Sequence, residues 1–352
     1  MKTIHNYLLL LMFIPTLAFA GIVKGKYTKE KKINKVYAVN NNAALQVGNK
    51  YGNIVITTWD EDRTDIEVTI TVSGNDEEDV VKRLNSLDVD FEATKSLVSA
   101  RTRIGNFRAR GRNINMEINY TIRIPKNGTL GLNNQYGGIR LGKIYGGMNI
   151  DCQYGSLTID EAHADNNRID LQYCGGSHIK YIKAAQLKMQ YSDMDITRAG
   201  KIIGDAQYTP VKIGDVGDAS MTIQYGDFKV NTADKINLKA DYTTCKFGRV
   251  DNLLNVGINY GDVNVNEVAT SARNIVVNST YGTTKLGLAN NLGFSFEFSL
   301  EYGSLSGKDL LKFTEKIEKD FSVYYKGNSA SGTGQCKLYA KAEYGDIKLS
   351  RN

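Results

Sequence analysis

Histidine, tryptophan and proline are nearly missing from this chain. Histidine occurs three times, and past the first twenty residues only as His163 and His178. Neither sits at a spacing that argues a Ser-His-Asp or Cys-His arrangement. The four cysteines, Cys152, Cys174, Cys245 and Cys336, form no C-x-x-C pair, which disfavours zinc and thioredoxin-type chemistry. No phosphate-binding loop and no calcium-binding G-G-x-G-x-D repeat is present. We therefore expect no enzyme, no cofactor and no metal. Charge is modest at +6, enough for mild attraction to anionic surfaces and nothing stronger. No nucleic-acid partner is expected.

Long apolar runs are also lacking. The longest, Leu8–Phe19, is too short to cross a bilayer, which takes about 20 residues. With Lys2 before it and Ala18-Phe19-Ala20 after it, residues 1–20 read as a cleavable signal peptide. The expectation is an exported protein, in the periplasm, on the outer cell surface or secreted, without a transmembrane segment. The cysteines then meet an oxidising compartment. Cys152 and Cys174 occupy different positions within their repeats, so buried free thiols are expected, with no disulfide between these two.

Glycine at 34 and tyrosine at 21 are abundant, while proline is held to three and tryptophan to Trp59 alone. That balance suits many short strands joined by tight corners. A repeat organises them. Tyr136, Tyr154, Tyr173, Tyr191, Tyr208, Tyr225, Tyr242, Tyr260, Tyr281 and Tyr302 recur every 17 to 21 residues, and Tyr344 follows 42 later. Apolar residues stand two, four and six positions before each tyrosine, as in Leu254, Val256 and Ile258 before Tyr260. After it the phase slips by one, as in Val263 and Val265. A further apolar position falls eight after the tyrosine, at Ile144, Ala162, Val216, Ala233, Val250, Val268 and Leu310. Period two marks strands with one inward face. The phase slip marks a corner, and the glycine that follows most of these tyrosines is expected to supply a positive φ there. A second corner then returns the chain to the next rung. The predicted fold is all-β: a parallel β-solenoid of ten or more rungs, spaced about 4.8 Å apart.

Residues 131–352 carry the repeat. Residues 21–130 read as strands plus one helix over about 75–87, capping the solenoid, with a single rung-like copy around Tyr51-Gly52. Residues 308–319 fit either an amphipathic helix or an excursion between rungs.

Three outward columns are candidate sites. Gln135, Gln153, Gln172, Gln190, Gln207 and Gln224 precede six successive tyrosines and are expected to form an amide ladder. Lys212, Lys229 and Lys246 stand four after theirs, with Lys285 two rungs on. Asp151, Asp170 and Asp205 share a third column, with Lys188 between them. Separately, Arg101, Arg103, Arg108, Arg110 and Arg112 form a basic run without an acid. The lysines and arginines are the candidate contacts for an anionic polymer. Adjacent rungs bring Asp151 and Asp170 to about 5 Å, near the separation of a retaining glycosidase pair. With Arg168 beside them, they define a polysaccharide-cleaving alternative.

Val47-Gly48-Asn49-Lys50-Tyr51-Gly52-Asn53-Ile54 with Trp59-Asp60, then Tyr120-Thr121-Ile122-Arg123-Ile124-Pro125 running into Asn133-Asn134-Gln135-Tyr136-Gly137-Gly138-Ile139, and finally Ala342-Glu343-Tyr344-Gly345-Asp346-Ile347, resemble the bacterial "putative adhesin" β-solenoid family of unknown function. The resemblance implies a right-handed parallel β-helix on an exported protein and brings no catalytic motif. The expected role is a binding or scaffold module for a glycan, an envelope polymer or a protein. The alternative is an accessory part of an envelope-sensing system.

Overall fold

The computed structural model describes residues 25–107, 113–332 and 334–351. The signal-peptide reading and Arg108, Arg110 and Arg112 lie outside the described residues. Among them, twenty-six strands join one open sheet, folded over so that two arms face each other across a continuous core. One arm leads into each tyrosine and the other leaves it.

In the middle of the molecule a whole turn is one strand. Ser177–Gln190, Met194–Gln207, Val211–Gln224, Phe228–Asp241 and Cys245–Asn259 each run through both arms and pair in parallel with the next. The second corner is thus a bend inside a strand rather than a break. In Met194–Gln207 the outward pairs Thr197-Arg198 and Gly200-Lys201 interrupt the alternation on either side of buried Ala199. The apolar position eight after the tyrosine fills this bend. Ile144, Ala162, Val216, Ala233, Val250 and Val268 are all buried. Leu310 departs from the series: it ends a short 3-10 turn, Lys308–Leu310, and is only half-buried.

The sharp corner is built differently from the expectation. Twelve tyrosines, including Tyr51, adopt left-handed backbone with φ between 47° and 64°. The glycines after them do not. They are needed for closeness: a Cβ at Gly137 would sit 1.9 Å from the Gly52 carbonyl oxygen, and at Gly282 1.9 Å from that of Gly261. Left-handed backbone costs a non-glycine residue about 1–2 kcal/mol. Ring stacking offsets this. Successive tyrosine rings lie parallel at 4.7–5.1 Å from Tyr51 to Tyr302, and each such contact contributes about 0.5–1.5 kcal/mol.

Spatial order departs from chain order twice. Ile114–Pro125, which directly precedes Leu130–Gln135 in the chain, lies on the far side of Ile54–Trp59, while Tyr51 stacks on Tyr136. At the other end Tyr344 lies between Tyr281 and Tyr302 instead of beyond them. Cys336–Glu343 pairs with Asn274–Thr280 on one side and Phe294–Glu301 on the other. The period counts rungs but cannot order them, because every rung offers the same backbone edge.

Both ends close with antiparallel strands. At the N-terminal end Ile114–Pro125, Arg63–Gly74 and Tyr27–Ala38 follow one another in antiparallel pairs, and Leu87–Ala93 covers Leu97–Ile104. The helix is Glu77–Asn85, started by the Asp76 side chain accepting from the Asp79 amide at 3.0 Å. Its Val80 is fully buried, whereas Val81 faces solvent. At the C-terminal end Ser322–Ser329 and Leu311–Lys319 reverse direction in the same way. Residues 311–319 are therefore a strand of an excursion, not a helix.

Candidate binding faces

The tyrosine corner presents a row of phenol edges. Each ring is about half-exposed, yet its faces are taken by its neighbours, so a flat ligand finds no free face except at the terminus. There Phe321, 65% exposed, stacks on Tyr302 at 5.2 Å and ends the row.

Beside it runs the amide column. Gln135 Nε2 donates to Gln153 Oε1 at 3.3 Å, and Gln190 Nε2 to Gln207 Oε1 at 2.8 Å. Asn259 Nδ2 continues the pattern to Asp241 Oδ1 at 2.8 Å. Amides that donate to the next rung are first of all a structural seam.

The acid column lies on the same arm. Asp151 and Asp170 are register partners, as are Asp170 and Lys188, and Lys188 and Asp205. Lys188 Nζ stands 3.6 Å from an Asp170 oxygen. Partial burial, and then the charge of Asp170, push the Asp151 carboxyl above the usual carboxylate range. Arg168 sits opposite Asn149, one outward position away from the acids. Asp151 borders a shallow groove floored by Gly48 and Gly131 and flanked by Arg101 and Asn133.

The lysine column occupies the other arm. The register runs His178, Asp195, Lys212, Lys229, Lys246, Asn264, Lys285, Lys348. Lys348 also stands four after its tyrosine, Tyr344, but only the spatial order of the rungs puts it next to Lys285. Lys212 pairs with Asp195 at 3.1 Å, and Lys348 with Asp346 at 3.5 Å. Lys229, Lys246 and Lys285 make no ion pair within 4 Å among the described residues, and all three are exposed. Met194, Pro210, Val211 and Phe228, with Asp193, Asp195 and Asp227, line a groove of about 340 Å³ along Lys212, Lys229 and Lys246. Two acids at the tyrosine corner are engaged in structure: Asp193 Oδ1 accepts from the Gly176 amide at 2.7 Å, and Asp262 Oδ1 from the Thr283 amide at 2.8 Å.

Arg101 and Arg103 are elsewhere, on strand Leu97–Ile104 of the first arm. Arg103 is neutralised by Asp90 at 3.2 Å and Asp88 at 3.4 Å. The fold therefore does not join Arg101 and Arg103 to the lysine column.

All four cysteines are buried free thiols. Cys152 and Cys174 do occupy different columns, yet Cys174 Sγ approaches the Cys152 carbonyl oxygen to 3.1 Å. Cys174 fills the position where Ser192, Thr209 and Thr243 turn their hydroxyls back to the carbonyl two residues earlier. It is one member of that row.

The repeated Tyr-Gly corners, stacked in register on two arms, lie within residues 42–350, which match a known family. The chain belongs to the Toastrack DUF4097 family. No curated protein matches it in sequence. Among solved structures it is similar to a "putative adhesin" from Parabacteroides distasonis ATCC 8503, at 11% identity and TM-score 0.36, covering 91% of this chain and 97% of that one. A "putative adhesin" from Parabacteroides merdae ATCC 43184 is similar at 9% identity and TM-score 0.35, covering 93% and 98%. A "putative lipid binding protein" from Parabacteroides distasonis ATCC 8503 matches at 9% identity and TM-score 0.31, covering 90% and 96%. No helix among the described residues is long and apolar enough to cross a membrane.

Proposed function

We propose that this Toastrack protein is an exported, non-enzymatic, adhesin-like module that holds an anionic polymer along its lysine column. One observation carries the reading. Lys212, Lys229 and Lys246 stand in register on adjacent rungs, and Lys229 and Lys246 have no ion-pair partner within 4 Å among the described residues. Like charges at strand spacing repel each other, and a polyanion laid along the rod relieves that repulsion. Each exposed pair contributes about 0.2–1 kcal/mol. Three in series therefore give modest, salt-sensitive binding that gains from polymer length.

The test is binding of the mature chain to immobilised dextran sulfate and to unmodified dextran, at low and high salt. Retention on dextran sulfate alone, lost at high salt and weakened about tenfold or more in Lys229→Glu/Lys246→Glu, is the expected result. Equal binding to both polymers, or an unaffected double variant, would overturn the reading.

A further inference from the structure

The rungs ending at Tyr281 and Tyr302 are consecutive in the chain, yet they do not touch. From Tyr136 to Tyr281 every other consecutive pair stacks directly, ring on ring. Here the chain skips a level and leaves a slot one strand wide. Asn274–Thr280 and Phe294–Glu301 form its walls on one arm, and Thr284–Leu288 and Leu305–Ser306 on the other. Residues 336–351 fill it.

What holds the occupant is general to this fold. Its backbone pairs in parallel on both sides. Leu338, Ala340, Ala342, Ile347 and Leu349 enter the core as any rung does. Tyr344 slides between two rings at 4.8 and 4.9 Å. Two side-chain contacts add to this, the first of them the same corner bond that Asp262 makes to the Thr283 amide. Asp346 Oδ1 accepts from the Ser304 amide at 3.0 Å and the Ser304 hydroxyl at 2.7 Å, and Arg351 reaches the Leu292 carbonyl at 3.0 Å. Both partners belong to the slot and its approach, so both contacts form equally well whether the strand comes from the same chain or from another.

We propose that this slot is a strand-exchange site, which accepts residues 336–351 of a second copy of this chain and so yields a reciprocal dimer. The walls precede the occupant in the chain, and until 336–351 arrives they carry two unpaired parallel edges, the hazard that strand edges pose in general. Exchange reproduces every native contact in trans, which makes it a low-cost route to a dimer. Once a chain is folded, its own strand competes at an effective concentration in the millimolar range. Exchange is therefore established as chains fold together, not by mixing folded ones.

Ser299 and Lys341 are register partners across the slot and belong to the outward column three before the tyrosine. Neighbouring strand positions fall within the Cα separation that a disulfide spans. A Ser299→Cys chain and a Lys341→Cys chain, each with Cys152, Cys174, Cys245 and Cys336 replaced by alanine so that only the introduced thiols can link, are denatured, mixed, refolded together and oxidised. The expected product is a covalent heterodimer whose yield rises with protein concentration, and which is absent when the two chains are folded separately before mixing. The double variant Ser299→Cys/Lys341→Cys, refolded alone and dilute, should close the link within one chain. No heterodimer after concentrated co-refolding would overturn the proposal. So would equal heterodimer from separately folded chains, which places the thiols on ordinary colliding surfaces. Failure of the dilute double variant to close would remove the slot geometry itself. None of these outcomes depends on polymer binding.

Discussion

The middle of the rod and its two ends solve opposite problems with the same chain. Between Ser177 and Asn259 each turn is a strand of 14 or 15 residues that copies its neighbour in register. Backbone edges are satisfied by the next rung, and the core is continuous. At the ends there is no next rung. The strands there reverse direction and carry charge: Lys29, Lys31, Lys32 and Lys35 on Tyr27–Ala38, and Lys312, Glu315, Lys316 and Lys319 on Leu311–Lys319. Reversal ends the parallel ladder, and charge discourages further pairing. A solenoid of this kind is thus extended by sameness and terminated by difference.

The sharpest way to break the middle is to deny it close stacking. Gly226→Ala places a carbon 2.5 Å from the Thr209 carbonyl oxygen, so two rungs must part. We expect a loss of about 3 kcal/mol or more in denaturant unfolding. Gly257→Ala, on a strand of the same region, meets nothing within 4 Å and should stay within about 0.5 kcal/mol of wild type.

A smaller effect separates the two sides of the tyrosine corner. Tyr208 stacks on Tyr191 and Tyr225, both at 4.8 Å, while holding φ at 50°. Tyr208→Ala loses both stacks and keeps the strain, at a cost of about 1–3 kcal/mol. Tyr208→Gly loses the stacks but relieves the backbone, and should be less destabilised than the alanine variant by about 1 kcal/mol. Thermal melts of the pair decide it; an alanine variant at least as stable as the glycine one would show that φ carries no strain.

The smallest effect distinguishes the regions by pH. The Asp346 carboxyl is held below the usual range by hydrogen bonds from Ser304, with Lys348 adding to them. Its contribution is present above the unfolded-state pKa and lost as pH falls through the folded one, within about pH 5 to 2. Asp151 has the opposite sign. Burial and Asp170 raise its carboxyl, so it weakens the fold at neutral pH, and that penalty is relieved on protonation. Asp346→Asn should therefore be less stable than wild type at pH 7, and Asp151→Asn more stable. Both differences should shrink in acid. Unfolding curves at pH 7 and pH 3 check the two signs.

Much of this was readable beforehand. The tyrosine period, the alternation on each side of it, and the outward amide and lysine columns all appear in the structure as one repeat in register. The roles at the corner were exchanged. Tyrosine takes the positive φ and glycine gives clearance, because ring stacking exists only between rungs and no single repeat contains it. The same blindness kept Cys174 away from Cys152, since column arithmetic follows strands and does not see a side chain reaching across a corner.

The sequence by itself determined the rung: its length, its inward and outward faces, and the place where it turns. Those follow from local sterics and from the period of two, which operate over a few residues. Only the tertiary structure decided the order of the rungs. Tyr51 lies under Tyr136, and Tyr344 stands between Tyr281 and Tyr302. Backbone hydrogen bonds pair any parallel edge with any other, so order is settled by loop length, end caps and the few contacts, such as Arg351 with Leu292, that one level makes and the others do not.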